Sequence, residues 1–244
     1  MRIFILTLLL LITQNSCKQD CIEPMGSIIQ QEVDMPFFDK IIVNTGVELV
    51  IKQSAERKIV IETGENRFDN VHYHVLDEVL ELQADDSCIF SANLDPVKIY
   101  VNSPTLTSIR NSSEYTIKSD GVLTYSNLTL LVEDDENEYL NIGNFNIQLN
   151  NSSTKVISNG ISNIYLSGST ENLEVLYYNG IGRFEGENLE AQQVHVFHRA
   201  ENSIKINPQE RLTGDIFSIG NIISYNHPPI VEVTEHYEGR LIFE

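Results

Sequence analysis

One spacing constrains this fold more than any other feature of the chain. Small polar turns fall at Asn159-Gly160, Asn179-Gly180, Ala200-Glu201-Asn202 and Gly220-Asn221, so turn centres recur at regular intervals, at positions 160, 180, 200 and 220. Two earlier turns, at Asn111-Ser112-Ser113 and Asp135-Glu136-Asn137, are spaced slightly more widely. Each unit opens on an apolar residue: Leu106, Leu128, Leu149, Leu173, Val194 and Ile216. A period of about 20 residues built of short strands is the signature of a solenoid, in which each unit buries its apolar face against its neighbours. In a right-handed parallel β-helix the units stack at ~4.8 Å and inward side chains form a continuous apolar column. Asn and Gly supply the left-handed backbone that tight corners need. Asn-Gly is also a hairpin signal, so a sandwich of hairpins is the competing architecture; the regular spacing favours the solenoid. The expected fold is all-β: a right-handed parallel β-helix with rungs of about 20 residues over 104–244, preceded by additional β-strands over 37–103 of the same domain.

Those additional strands show in the local pattern. Residues 40–52 (KIIVNTGVELVIK), 57–63 (RKIVIET), 71–76, 79–83 and 97–101 are dense in β-branched residues and alternate apolar with polar, as half-buried strands do. Leu76-Asp77-Glu78-Val79 predicts a hairpin turn, and Asn102-Ser103-Pro104 ends a strand because proline cannot join a central ladder. The stretch from Pro228 to Glu244, with VEVTEHY and GRLIF, reads as a strand pair that caps the stack. No amphipathic helix longer than two turns is legible.

The first residues speak to location. Met1-Arg2 precede an apolar run, Ile3 to Ile12, interrupted only by Thr7, and Asn15-Ser16-Cys17 follow. One positive charge, a short apolar core and a small residue before a cleavage point form a secretory signal over 1–16. As a helix the core spans only ~15 Å, half a bilayer's hydrocarbon, so it predicts a removed leader and not a membrane span. Ser16-Cys17 resembles the bacterial lipobox, with Gln14 standing where leucine is usual, and that resemblance implies acylation of Cys17. Residues 17–36 then serve as lipid anchor and tether, broken by Pro24 and Gly26. The expected location is the bacterial cell envelope, lipid-anchored at the outer membrane or cell surface. Of the remaining cysteines, Cys21 and Cys88 stand as a candidate disulfide in that oxidising space.

Charge narrows the partners. With 16 basic and 35 acidic residues the chain carries a formal −19. That argues against nucleic acid, whose binding needs phosphates neutralised, and against an anionic lipid surface. Contact with a membrane is expected through the N-terminal lipid only.

A family likeness rests on Phe38, Ile41 and Val43 followed by Val47 to Ile51, the strand 97–101, Pro104-Thr105-Leu106, and Ile219-Gly220-Asn221-Ile222 before Ser224-Tyr225. From about Phe38 onward the chain resembles the bacterial head GIN domain family, known under the label of auto-transporter adhesins. The resemblance implies a β-helical domain on an exported protein. It departs from the family at Asn159-Gly160-Ile161 and Asn179-Gly180-Ile181, where Gly-Ser-Gly corners are usual.

Candidate chemistry is sparse. The acidic run Glu133-Asp134-Asp135-Glu136 with Glu138 lacks the spacing of a calcium loop and reads as a solvated corner. His72 and His74 share a strand face but need a third ligand to hold a metal; His195 and His198 do not share one. No metal or cofactor is expected. Tyr177, Tyr178 and Phe197, with Phe184, Tyr225 and Tyr237, are candidates to line a ligand face, since rings stack on apolar sugar faces; packing in the core is the competing reading. Sequons at Asn111, Asn127, Asn150 and Asn151 read as turn and ladder residues. No nucleophile-elbow, zinc-helix or phosphate-loop motif occurs. The expectation is a non-catalytic surface adhesion or interaction module whose partner is a glycan or another envelope protein; the alternative is a carbohydrate-binding protein or polysaccharide-active β-helix enzyme.

Overall fold

The computed structural model describes residues 25–85, 95–133 and 140–244. Cys17, Cys21, Cys88, the leader and the acidic residues 134–138 lie outside the described residues. The protein is all-β, and its strands join in one curled sheet. The first ten strands are short: β1 (Ile28–Val33), β2 (Lys40–Val43), β3 (Val47–Gln53), β4 (Lys58–Gly64), β5 (Val71–Leu76), β6 (Val79–Ala84), β7 (Val97–Ser103), β8 (Ser108–Asn111), β9 (Ile117–Leu123) and β10 (Asn127–Val132). Four long strands follow, β11 (Phe145–Ser158), β12 (Asn163–Tyr177), β13 (Arg183–His198) and β14 (Ile204–Ile216), then β15 (Ile222–Ser224), β16 (Ile230–Glu235) and β17 (Leu241–Phe243).

Two rows of strands meet in β11 to β14. The first row runs β1-β4-β7-β3-β9 and continues through the N-terminal halves of the long strands to β15 and β17. The second runs β5-β6-β2-β8-β10 and continues through their C-terminal halves to β16. From β11 to β14 every pairing is parallel. Phe145 pairs with Ile164, Ile164 with Phe184 and Phe184 with Ile204, which is the spacing of the sequence turns. The N-terminal strands obey another rule. There β4 is antiparallel to both β1 and β7, while β2 and β3 pair in parallel with the distant β8 and β9, Ile41 beside Ile109 and Leu49 beside Ile117.

Alternation on each strand sends one set of side chains inward. In the first row these align as Ile61, Ile99, Leu49, Ile117, Phe145, Ile164, Phe184, Ile204 and Ile222. In the second they align as Leu80, Ile41, Ile109, Leu130, Val156, Val175 and Val196. Both columns are buried and belong to one core cluster. Burying one such side chain contributes about 2 kcal/mol relative to exposure, so continuity of the columns is what holds the strands in register.

Several expectations need correction in detail. Residues 40–52 are two strands, parted at Asn44–Gly46, where Gly46 takes a φ of +84°. The apolar column that opens the units passes through Leu128, Thr154, Leu173, Val194, Leu212 and Val231 of the second row, so Leu149 and Ile216 stand elsewhere in their rungs. The C-terminal segments do not pair with each other. Instead β16 pairs with β14 and β17 with β15, both in parallel, continuing the stack. The hairpin at Leu76-Asp77-Glu78-Val79 is present, with φ of 49° and 66° at its two central residues. Where rungs bend, backbones approach closely: a Cβ at Gly168, whose φ is +108°, would overlap the Leu149 carbonyl oxygen.

Candidate functional site

On the outer face of the second row, three columns of side chains run along the stack. One holds Lys155, Glu174, His195 and Thr213. The next holds Leu131, Ile157, Leu176, Phe197 and Asp215. The third continues just past the strand ends. Tyr178, Arg199, Phe217 and His236 each donate a backbone N–H to the preceding rung, at the carbonyls of Ser158, Tyr177, His198 and Ile216, at 2.8–2.9 Å.

Phe197 leans from its own column between Tyr178 and Phe217, and the rings form a ladder. Tyr178 and Phe197 lie 5.2 Å apart at 48°, Phe197 and Phe217 5.2 Å apart at 42°, and Phe217 stacks on His236 at 4.2 Å and 3°. Tyr178 and Phe217 keep 46% and 41% of their surface exposed. The ladder has a polar rim. His236 Nε2 lies 2.7 Å from Asp215 Oδ1, His195 Nδ1 lies 3.0 Å from Thr213 Oγ1, and Lys155 pairs with Glu174 at 2.9 Å. Because Phe217 and His236 spend their faces on each other, they offer mainly edges; the tilted Tyr178 and Phe197 rings do not close on one another.

The sequence candidates separate accordingly. Tyr178 and Phe197 are together on this face. Tyr177 is not: consecutive residues of a strand point to opposite sides, so it is fully buried, its hydroxyl donating to the Arg183 carbonyl at 3.0 Å. Burial pushes its phenol far above the usual tyrosine range. Phe184 is also in the core, and Tyr225 and Tyr237 are exposed. Phe217 and His236, which complete the ladder, were missed. The period finds them, since Phe217 and His236 hold the place of Tyr178 and Arg199 on the following strands.

The histidines also separate. His72 faces Asp85 at 3.0 Å and His74 faces Glu81 at 3.5 Å, both exposed pairs. His198 is fully buried, with the backbone carbonyls of Asn202 and Asn221 facing its ring. Among the described residues no three His, Cys, Asp or Glu side chains gather as a metal set, and no helix is long and apolar enough to cross a membrane. Asn151 Oδ1 accepts from the hydroxyls of Thr154 (3.1 Å) and Thr170 (2.7 Å), and Asn150 Oδ1 from Ser169 (3.1 Å), so these sequon asparagines are ladder residues.

The family profile "Putative auto-transporter adhesin, head GIN domain" matches residues 37–228. The chain belongs to this family. Solved structures share the fold along most of the chain. A putative adhesin from Bacteroides fragilis is 24% identical, with a TM-score of 0.79 over 89% of this chain and 97% of its own. A putative adhesin from Parabacteroides distasonis is 13% identical, with a TM-score of 0.63 over 90% and 98%. A putative lipid binding protein from Parabacteroides distasonis is 14% identical, with a TM-score of 0.62 over 89% and 97%. At these identities the likeness is one of fold. No curated protein matches the chain.

Proposed function

We propose that this head GIN protein is an exported, non-catalytic adhesion and interaction module of the bacterial cell envelope, tethered by a lipid on Cys17 at the outer membrane or cell surface. Its long strands wind as a right-handed parallel β-helix, the hand that parallel crossovers take; the near-constant offset between paired residues from β11 to β14 supports that winding. The observation that carries the reading is the outward aromatic ladder, with rings on four successive rungs of a rigid stack and a polar rim beside them. Aromatic residues with polar edges, fixed on regular structure, are what recognition surfaces use. Cys17→Ala should move the protein from the membrane to the soluble fraction, and protease added to intact cells should remove it. Retention of the variant in the membrane refutes the lipid tether, and full protection from protease refutes the surface location.

The tilt of Tyr178 and Phe197 favours a second reading, carbohydrate binding. The exposed Tyr178 ring, tilted away from Phe197, can meet the apolar face of a sugar, while the Asp215–His236 pair meets its hydroxyls. The test is a glycan array probed with residues 22–244, which contain every described strand, with and without calcium. Binding to one sugar class that disappears in Tyr178→Ala and Phe197→Ala supports it. A blank in both conditions removes it and leaves an envelope protein as the partner.

A further inference from the structure

The two Asn-Gly turns look alike in sequence and differ in the structure. The turn between β11 and β12 spans residues 159–162, and the turn between β12 and β13 spans 178–182, one residue longer. Asn159 holds the first place of its turn and donates its N–H to the Val132 carbonyl at 3.0 Å. In the next turn that place belongs to Tyr178, whose N–H meets the Ser158 carbonyl at 2.9 Å. Asn179 therefore falls one place further along. It is exposed where Asn159 is half-buried. Among the described residues neither the Asn179 N–H nor the Gly180 N–H donates a hydrogen bond. Packing fixes the glycine: its φ is +93°, and a Cβ there would overlap the Gly160 carbonyl oxygen. Nothing similar fixes the asparagine, since such a turn place also accepts Ser or Asp.

We propose that Asn179 is a site of spontaneous covalent modification, converting to aspartate and isoaspartate through a succinimide closed with Gly180. Solvent hydroxide takes the Gly180 amide proton, and the nitrogen attacks Asn179 Cγ. The new N–C bond closes a five-membered ring, the Cγ–Nδ2 bond breaks, and Nδ2 takes up a proton from water and leaves as ammonia. Water then opens the ring at either carbonyl. Cleavage at Cγ leaves aspartate with the original main chain. Cleavage at the main-chain carbonyl leaves isoaspartate, whose main chain runs through the side-chain carbons and is one atom longer. One water is consumed and one ammonia released. Asparagine is among the thermolabile residues, and the turn of Asn179 removes the usual protections. Gly180 has no Cβ to shield its nitrogen. Its N–H is not held in the backbone pairing that occupies most such groups. The exposed carboxamide stands where hydroxide and water reach it. Either product sets a new carboxylate next to Tyr178 on the outer face, whatever that face binds.

The test ages the purified protein for weeks at mildly alkaline and mildly acidic pH, folded and in urea, and maps peptides against a fresh sample. Trypsin cuts after Lys155 and Arg183 with no Lys or Arg between them, so both Asn-Gly pairs leave in one peptide, residues 156–183. Electron-transfer fragmentation reads the two asparagines separately and tells aspartate from isoaspartate. In the folded protein Asn179 should convert roughly tenfold faster than Asn159, a modest difference in barrier, and faster at alkaline pH. In urea the two should convert at similar rates, which assigns the difference to the fold. Asn179→Gln, which would have to close a six-membered ring, should stay intact at that position. An Asn179 that stays unmodified in the folded protein overturns the proposal. So does an Asn159 that keeps pace with it there, or the same preference for Asn179 in urea.

Discussion

His198 lies in the interior between Tyr177 and Ile216 of the adjoining rungs, close against Gly220. Burial disfavours the imidazolium and lowers its pKa from 6.5 to about 4, although the backbone carbonyls of Asn202 and Asn221 pull it back upward. The sign of the consequence is fixed by linkage. The unfolded chain takes up this proton near pH 6.5, while the folded chain resists it until about pH 4. Between those values the unfolded state binds more protons, so stability is complete above pH 7 and is lost as the pH falls. The site then costs about 2 kcal/mol at pH 5 and about 3 kcal/mol at pH 4. In a domain of this size 2 kcal/mol is about 4–8 °C of melting temperature. Urea unfolding at pH 7.5 and 5.0, for wild type and His198→Asn, isolates the term, because carboxylate titration is common to both. The wild type should lose about 2 kcal/mol more than the variant over that interval. If the variant is too weak to fold, the imidazole resonances of the wild type serve instead: those of His198 should stay neutral through pH 5. Parallel losses in the two proteins, or a His198 that protonates near 6.5, refute the reasoning.

Three further outcomes rest on geometry. Gly168→Ala forces a side chain onto the Leu149 carbonyl at a φ of +108° and should destabilise by about 3 kcal/mol in urea unfolding. Glu78→Gly relieves a left-handed residue in the two-residue hairpin between β5 and β6, and should raise stability by roughly 0.5 kcal/mol, read as a higher urea midpoint at unchanged slope. Phe217→Ala removes the ring that joins Phe197 to His236. It should cost about 1–2 kcal/mol by the same assay, less than a core truncation because the side chain is partly in water.

How much of this was legible in sequence depends on which quantity is asked for. Strand formation came from alternation and β-branched density, and the period came from turns that repeat their small polar residues. Register did not follow, because aliphatic residues occur at several points of each rung and the pattern does not say which of them stack. Thr154 shows why: a polar residue occupies the apolar column between Leu128 and Leu173, its hydroxyl satisfied by Asn151, so a search for leucines slips to Leu149. The N-terminal half was harder for another reason. Ile41 finds Ile109 and Leu49 finds Ile117 across several intervening strands, and no local periodicity carries a pairing of that range.

The site illustrates the same division. Tyr177 and Tyr178 are neighbours in sequence but cannot share a strand face, so at most one of them was ever available to a ligand. Parity alone could not say which. The register could: Tyr177 falls in the inward column with Ser158 and His198, and Tyr178 then falls outside with Phe217 and His236. A single alignment therefore sets both the buried imidazole, which makes the stack acid-sensitive, and the exposed rings proposed as its recognition face. The two properties are coupled. A one-residue slip of β13 against its neighbours would exchange its inward and outward sets, placing Phe197 in the core and His198 on the surface. Loss of the outer ladder and loss of the acid-labile term should then appear together in any variant whose rungs have slipped, and separately in variants that keep register.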